Sequence, residues 1–580
     1  AKKTLDEARK QDIPAVLDVD ITPEGLEPQV IELSSHALFS EPALKQFSNG
    51  STILSGLQQA AELNQGWVGV TCGAEGTSWL EDGQLRHQPA FPVKSVDTLG
   101  AGDVFHGLFA LGLAEGLSEE SSLVRASAAA AISCSRTGGR DAIPLEHEIE
   151  AFPFAEETCR KAWNLLEQIP VEWSGSKELL FDAGAVEGRL EEMVKNPPDL
   201  LLVLQLTFTD ATMTVKLAET LDAPMVFWSF PEERTGGRLR LNSLCGINLA
   251  SHALGKSGMR CDYLHIDPMD ERAGSEIQAR INAHQARKNL SKTRLAVLGQ
   301  HPDGFHTCAY DAQELKKRTG VTVDQLELKD LFDEARQVPE NKVEELRQEL
   351  KPRIEGLEKV EQEPLEKSLR VLSSLKSKAS NDGYQGFSIR CWPEFFTEYG
   401  CAACGAMGML NTEGIAAGCE ADVYGTLSTL ILNWMGEEPA FIADLVDIDA
   451  DQDTGVFWHC GLAPLSMADP DAPVEAGIHS NRKKPLVNEF PLKAGRVTLF
   501  RLSQSQNLNR MIIGGGTMLK APKSFSGTSG VIRFDRPASE VLETVMKEGL
   551  EHHYGIAYGD LRHPLKLLAQ QLDLPVFELT

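Results

Sequence analysis

The rhythm of apolar residues changes along this 580-residue chain, and that change limits the folds open to it. Up to about residue 150, short apolar runs such as "AVLDVD", "HALFS" and "GWVGVTCG" alternate with helical stretches, among them the segment after Gly100 and the Ala-rich "SAAAAISC". Strand and helix in turn predict an α/β layer around a largely parallel sheet. The rhythm breaks around 141–156, then resumes through "ELLFD", "DLLLVLQL", "PMVFWSF" and "CDYLHID", and begins afresh at "RLAVLGQHPDGF" (294–305). A charged stretch over about 328–378 reads as helical throughout, a pair of helices with one apolar stripe and a solvated face. From about 441, "RVTLFRLS", "RMIIGGGTML" and "GVIRFD" predict a mostly β ending. Length alone predicts about three or four domains. The pattern puts them at 1–152, 153–293, 294–440 and 441–580.

The opening "AKKTLDEARKQDIPAVLDVDITP" has no initiator Met and reads as a helix, a turn and a strand entered midway through an α/β fold. The start is therefore expected to be a truncation or a processed junction.

Charge narrows the partners. With 56 basic and 84 acidic side chains the formal charge is -28. Nucleic acid and anionic membrane are not expected as main partners. Small anions are a different matter, since a few local cations and backbone N–H groups suffice to capture one. No apolar run reaches the roughly 20 residues of a membrane span, and no signal peptide opens the sequence. Eleven cysteines in a long chain fit reduced thiols in a cytoplasmic enzyme.

Two constellations carry chemistry. In "SVDTLGAGDVFHG", Gly100, Ala101 and Gly102 put small residues where a helix begins, so that backbone N–H groups can approach a phosphate. Asp103 follows at the edge of that anion hole, where a carboxylate can take a proton from an attacking hydroxyl. In the second, Glu420 precedes an apolar helix, Asp444 ends an apolar strand, and His552 and His553 stand together near the C-terminus. Two carboxylates and one imidazole suit a hard divalent ion with open positions for substrate hydroxyls. On spacing alone, Glu420 would serve equally as a helix cap and Asp444 as a solvent-facing strand end.

The first constellation resembles the ribokinase-like (PfkB) sugar kinases. The resemblance implies that Asp103 is the catalytic base, that Gly100, Ala101 and Gly102 form the anion hole, and that Thr71, Gly73 and Gly76 of "TCGAEG" belong to the nucleotide-binding turn, with ATP and Mg²⁺ as ligands. "SCSRTGGRDAIP" (133–144) is similar to the family's closing segment near the adenine. Within the family, "LDVDITPEG", "HALFSEPAL", "RHQPAFPVKSVDTLGAGDVFHG" and "CSRTGGRDAIP" look most like the kinases of sulfofructose. Where many members carry Asn-x-x-Glu, this chain has Ser40-Glu41-Pro42-Ala43, and the resemblance to the sulfofructose kinases implies that Glu41 partly fills the missing role. The likeness covers only the C-terminal half of such a kinase, without the half that binds sugar. Catalysis there depends on positioning both reactants, so this segment alone is not expected to phosphorylate.

The second constellation resembles the L-fucose isomerase family, including its sulfoquinovose-isomerising relatives. That family has a metal-binding Glu at a helix start and, 24 residues later, a metal-binding Asp after Phe-x-Ala. Phe441-Ile442-Ala443-Asp444 matches that spacing from Glu420. A family His six residues before a Gly selects His553 over His552, counted back from Gly559. The resemblance therefore implies a metal site of Glu420, Asp444 and His553 holding Mn²⁺ or another divalent ion. Glu420 and Asp444 would also be catalytic, moving a proton between C1 and C2 through an ene-diol, unless a hydride shift bypasses it. "RCWPEFF" (390–396) and "FWHCGLAP" (457–464) look like segments lining the site, which adds Glu394 and His459 as secondary candidates. The implied architecture is α/β: a ribokinase-like half-domain, two Rossmann-like α/β domains, and a mostly β domain of the L-fucose isomerase type.

Other signals carry less. Cys401-Ala402-Ala403-Cys404 has no second pair at zinc spacing and reads as buried thiols. The glycines of "RMIIGGGTML" read as a bulge or a close backbone approach. "HSNRKKP" (479–485) is a solvated basic loop whose Arg482 or Lys483 could reach a substrate anion in a neighbouring subunit, while His301 and Phe305 of "HPDGFHT" are candidate substrate contacts. The expectation is thus a fusion, a metal-dependent aldose–ketose isomerase behind a truncated kinase segment, acting on a small sugar and assembled as a homo-oligomer. The kinase's ketose substrate is the isomerase's product, which favours sulfoquinovose to sulfofructose. Alternatives are an ordinary aldose of the L-fucose or L-arabinose type, or a kinase segment that only binds nucleotide or assists assembly.

Overall fold

The computed structural model describes residues 2–580 except 24–26, 181–182, 222, 235 and 237–238. Glu24 and Gly25 of "LDVDITPEG" thus lie outside the described residues. So do Phe181 and Asp182 of the expected strand "ELLFD", and its first three residues, Glu178 to Leu180, are not in a strand. The chain divides into two compact units, up to Ile277 and from Gln278 onward.

The first unit begins with five strands in sequential order: β1 (Val16–Val19), β2 (His36–Ser40), β3 (Trp67–Thr71), β4 (Thr77–Glu81) and β5 (Gln84–Gln88). The first three are parallel, and β2 is apolar on both faces because helices cover both. Ala37, Leu38 and Phe39 of "HALFS" are fully buried. Phe39 packs with Leu44, Leu57 and Ala60, whereas Leu38 packs with Phe105, Phe109 and Leu123. β4 and β5 form a hairpin across Asp82 and Gly83, both at positive φ (52° and 73°), the two-residue turn that such a pair favours. Helices Ala101–Ala114 and Glu119–Cys134 follow.

The break expected at 141–156 is instead occupied by one helix, Glu146–Leu166, with Pro153 inside it. Its buried residues Ile149, Phe152, Ala155, Cys159, Ala162 and Leu166 recur every three or four positions, the stripe of an amphipathic helix that the proline obscures in the sequence. Beyond it lies a three-stranded parallel sheet of β6 (Leu201–Gln205), β7 (Met225–Ser229) and β8 (Asp262–His265), backed by the helix Ser243–Lys256.

The second unit holds the two sheets that matter for chemistry. β9 (Arg294–Leu298), β10 (Thr322–Leu326), β11 (Gly386–Ile389) and β12 (Ala416–Gly418) form a parallel sheet in the order β10-β9-β11-β12. The charged stretch between β10 and β11 is three helices, Leu328–Gln337, Glu340–Leu350 and Gln362–Asp382, rather than helix throughout. Pro339 disfavours helix at Val338 and so ends the first. The last nine strands are β13 (Phe441–Asp449), β14 (Thr454–His459), β15 (Glu475–Gly477), β16 (Val487–Pro491), β17 (Gly495–Ser503), β18 (Arg510–Leu519), β19 (Thr528–Phe534), β20 (His553–Tyr558) and β21 (Val576–Glu578). They run β15-β16-β19-β14-β13-β20-β17-β18-β21, and an added β18–β19 pairing closes six of them into a barrel. The three glycines of β18 permit that closure: a Cβ on Gly516 would sit 2.5 Å from the carbonyl oxygen of Arg533 on β19. One apolar core joins the layers, with Ala296 and Phe387 of the parallel sheet in the same cluster as Phe457, Phe490 and Ile532 of the β region. The line expected at 440/441 therefore runs through a shared interior.

Candidate active site

Ligand sites in open parallel sheets lie beyond the carboxyl ends of the strands, where strand order reverses. The chain leaves β9 toward Phe305, Thr307 and Cys308, leaves β11 into Trp392, and leaves β12 into Glu420. All three exits converge. Trp392 Nε1 donates to Glu420 Oε1 at 3.2 Å, and the Phe305 ring stands edge-on to Trp392 with centroids 5.4 Å apart.

Glu420 and Ala421 both have left-handed backbones, at φ 58° and 55°. Consecutive non-glycine residues there are costly, and such strain collects where a side chain must be aimed. Asp422 then caps the helix Val423–Met435, accepting from the Gly425 amide at 2.8 Å. That helix is buried on nearly every side, so its start is rigidly placed.

The barrel supplies the facing wall. Asp444 does not end its strand, which continues to Asp449; it sits just before a bulge, directly opposite His553 on β20. His553 Nε2 is 3.3 Å from Asp444 Oδ1 and 4.0 Å from Glu420 Oε2. Its Nδ1 lies 2.9 Å from Asp422 Oδ2. A carboxylate can only accept, so Nδ1 carries a proton, and Nε2 is the nitrogen turned toward Glu420 and Asp444. Asp444 Oδ1 is buried and lacks a hydrogen-bond donor among the described residues. His552 Nε2 is 3.1 Å from Glu420 Oε2, while its Nδ1 meets the Thr307 hydroxyl at 2.9 Å. His459 also approaches, grouped with Asp444 and His553.

A buried ion pair holds this arrangement from behind. Arg501 donates to both oxygens of Asp422, at 2.7 and 3.2 Å, and to the carbonyls of His553 and Thr307. Both side chains are about 2 % exposed or less. Burial works against the charge on Asp422, yet Arg501 and His553 hold its carboxyl far below the usual range. Burial likewise opposes the Glu420 charge, but His552, His553 and Trp392 outweigh it and the carboxyl is lowered. Burial opposes protonation of His552, which Glu420 and Asp444 nevertheless raise. The Cys308 thiol, 3.9 Å from Glu420, is pushed up by burial and stays protonated.

Glu420, Asp444, His552 and His553 are therefore brought together. Glu394 is not among them, being paired with Arg390 at 2.9 Å, and the His301 ring meets the Pro302 carbonyl at 3.0 Å. Sequence reasoning missed Asp422, Thr307, Cys308 and Arg501. Arg501 could have been found as the one charge inside the apolar run "VTLFRLS". Cys401 and Cys404 are buried free thiols, and Cys404 lies 3.0 Å from Cys460 in a line of sulfurs that also holds Cys391 and Cys419 at 2.6 Å.

In the first unit, Gly100 takes a left-handed φ of 78° at the start of the helix Ala101–Ala114, with Asp103 exposed in its first turn and Ala101 and Gly102 between them. Asp97 accepts from the Leu99 and Gly138 amides, both at 3.0 Å, tying this turn to the Gly138 loop; those donors lower its carboxyl. Gly73 and Gly76, at φ 57° and 97°, bound the turn after Thr71, and a Cβ on Gly76 would strike the Gln88 carbonyl at 2.1 Å. Glu41 is paired with Lys45 at 2.5 Å.

Comparison with known proteins assigns both parts. Residues 2–146 match the pfkB family carbohydrate kinases, and residues 161–288 match the fucose/sulfoquinovose isomerase N-terminal domain. The chain is 31% identical to the sulfoquinovose isomerase of Priestia aryabhattai over 399 residues, covering 69% of this chain and 89% of that protein. It is 33% identical to the sulfoquinovose isomerase of Clostridium sp. (strain MSTE9), covering 65% and 85%. The ribokinase of Bacillus subtilis (strain 168) is 32% identical over 153 residues, 26% of this chain, and the chain spans only half of that kinase's length. The protein is an α/β aldose–ketose isomerase that carries a ribokinase-like segment ahead of it. It belongs to the fucose/sulfoquinovose isomerase family.

Proposed function

We propose that this chain isomerises sulfoquinovose to sulfofructose in the cytoplasm, using a divalent metal held by Glu420, Asp444 and His553. One observation carries the site assignment: a buried, donor-less carboxylate oxygen on Asp444 faces an imidazole Nε2 whose other nitrogen is engaged by Asp422. Two carboxylates and a neutral imidazole are an apt donor set for Mn²⁺ or a similar ion. Bound there, the ion would place positive charge beside the substrate's carbonyl and neighbouring hydroxyl oxygens.

The chain's own groups do the rest. Asp422 fixes the tautomer and orientation of His553, and Arg501 fixes Asp422. Trp392 and His552 hold Glu420 ionised, with one oxygen each. Glu420 and Asp444 are the groups positioned to take a proton from one sugar carbon and return it to the next. Phe305 and Trp392 provide an apolar wall that limits water. The substrate assignment is supported by the sulfoquinovose isomerases that the chain resembles over most of their length. It is supported also by a kinase segment whose motifs look like those of kinases acting on sulfofructose, the product. For that segment we propose ATP and Mg²⁺ as ligands, at Gly100, Ala101, Gly102 and Asp103 and at Thr71, Gly73 and Gly76.

The deciding experiment assays sulfoquinovose against L-fucose with added Mn²⁺, beside a chelated sample. Turnover of sulfoquinovose, lost on chelation and regained with Mn²⁺, is expected. A clear preference for L-fucose would overturn the substrate reading. Full activity in Glu420→Gln would overturn the site.

A further inference from the structure

A cation stands at the edge of this site with no carboxylate within 4 Å of it among the described residues. The Arg482 guanidinium lies over the face of Trp392, 5.7 Å from the ring centroid. Trp392 is the residue whose indole N–H donates to Glu420 at 3.2 Å. One indole ring thus lies between the candidate catalytic carboxylate and Arg482.

The loop bearing Arg482 is built rather than loose. His479 Nδ1 accepts from the amides of Asn481 and Arg482, both at 3.3 Å. The His479 amide donates to the Lys484 carbonyl at 2.9 Å, and the Lys483 amide donates back to His479 at 2.8 Å. Phe396 packs edge-on against the His479 ring, 5.1 Å between centroids. The three cations of the loop then behave differently. Lys484 is paired with Glu361 at 2.9 Å. Arg482 and Lys483 are exposed, and no carboxylate lies within 4 Å of either among the described residues. In a chain with 84 acidic and 56 basic side chains, an unanswered pair of cations beside a sugar site is out of keeping with the bulk charge.

We propose that Arg482, stacked on Trp392 and helped by Lys483, is the subsite for the sulfonate of the substrate, and so determines specificity within one subunit. The inference rests on the sulfonated-sugar reading above. A guanidinium offers paired N–H donors that match two oxygens of an oxyanion, and stacking on an indole fixes its plane. The sulfonate stays charged throughout the reaction and takes no part in the chemistry at C1 and C2. Its recognition belongs at the far end of the carbon chain, and the Trp392 ring sets Arg482 apart from Glu420.

The test compares sulfoquinovose with quinovose, the same sugar without its sulfonate, in wild type, Arg482→Ala and Arg482→Lys. Steady-state kinetics and calorimetric binding are both read, with thermal melts as a check on folding. In Arg482→Ala the preference for the sulfonated sugar is expected to fall by roughly ten- to hundredfold, chiefly through KM. Arg482→Lys should recover part of that loss, since it keeps the charge without the planar fork. If Arg482→Ala keeps the wild-type preference, or loses both substrates equally, Arg482 is not the subsite. If wild type itself shows no preference for the sulfonated sugar, the substrate reading fails and the subsite falls with it, a result visible before any variant is made.

Discussion

At the scale of single residues, the candidate site rests on a buried ion pair behind it. Asp422 and Arg501 are both buried, and each is tolerable only because of the other. Arg501→Met would leave a buried carboxylate uncompensated, so denaturant unfolding of the purified protein should show a loss of about 3–5 kcal/mol. Asp422→Asn tests a different property. An amide can present either oxygen or nitrogen to His553 Nδ1, so the tautomer that frees Nε2 is no longer enforced. Metal affinity, read by titration with Mn²⁺, should fall about 10–100-fold. An unchanged affinity would separate Asp422 from metal binding and leave it only a structural partner of Arg501.

The elements explain what could be read from the sequence and what could not. Parallel strands buried on both faces announce themselves as short apolar runs, which is why "HALFS" and "RLAVL" were legible. The helix Glu146–Leu166 was not, because Pro153 sits inside it and the apolar stripe must be traced past the proline. Glu420, Asp444 and His553 could be picked out through family spacing. Their shared partners could not, since Asp422 and Arg501 meet across 79 positions, where β17 packs beside the helix Val423–Met435. The closure of the barrel makes β18 sensitive. Gly516→Val would drive a side chain into the Arg533 carbonyl, where a Cβ alone comes within 2.5 Å. A loss of about 1–3 kcal/mol is expected, read as an earlier unfolding midpoint with an unchanged denaturant slope. A neutral substitution would mean that β18 and β19 part without cost.

The whole molecule joins a pfkB-type segment to an isomerase on one chain, and the proposed isomerase residues are drawn from the second unit alone. Glu420, Asp422, Asp444, Arg501 and His553 all lie beyond Gln278, whereas Asp103 and the turns at Thr71 and Gly100 lie before Ile277. Among the described residues, hydrogen bonds and ion pairs within the second unit hold the proposed isomerase constellation. Asp103→Asn should therefore leave kcat and KM for isomerisation at their wild-type values. The same variant provides the control for nucleotide chemistry. Calorimetric titration of the full chain with ATP and Mg²⁺ measures binding at the segment, and isomerase assays with and without ATP measure any influence on the second unit. Removing a carboxylate beside bound phosphates should strengthen or preserve ATP binding, because a negative charge next to an anion is lost. If Asp103→Asn slows isomerisation, the two units are coupled, and the segment regulates the enzyme behind it.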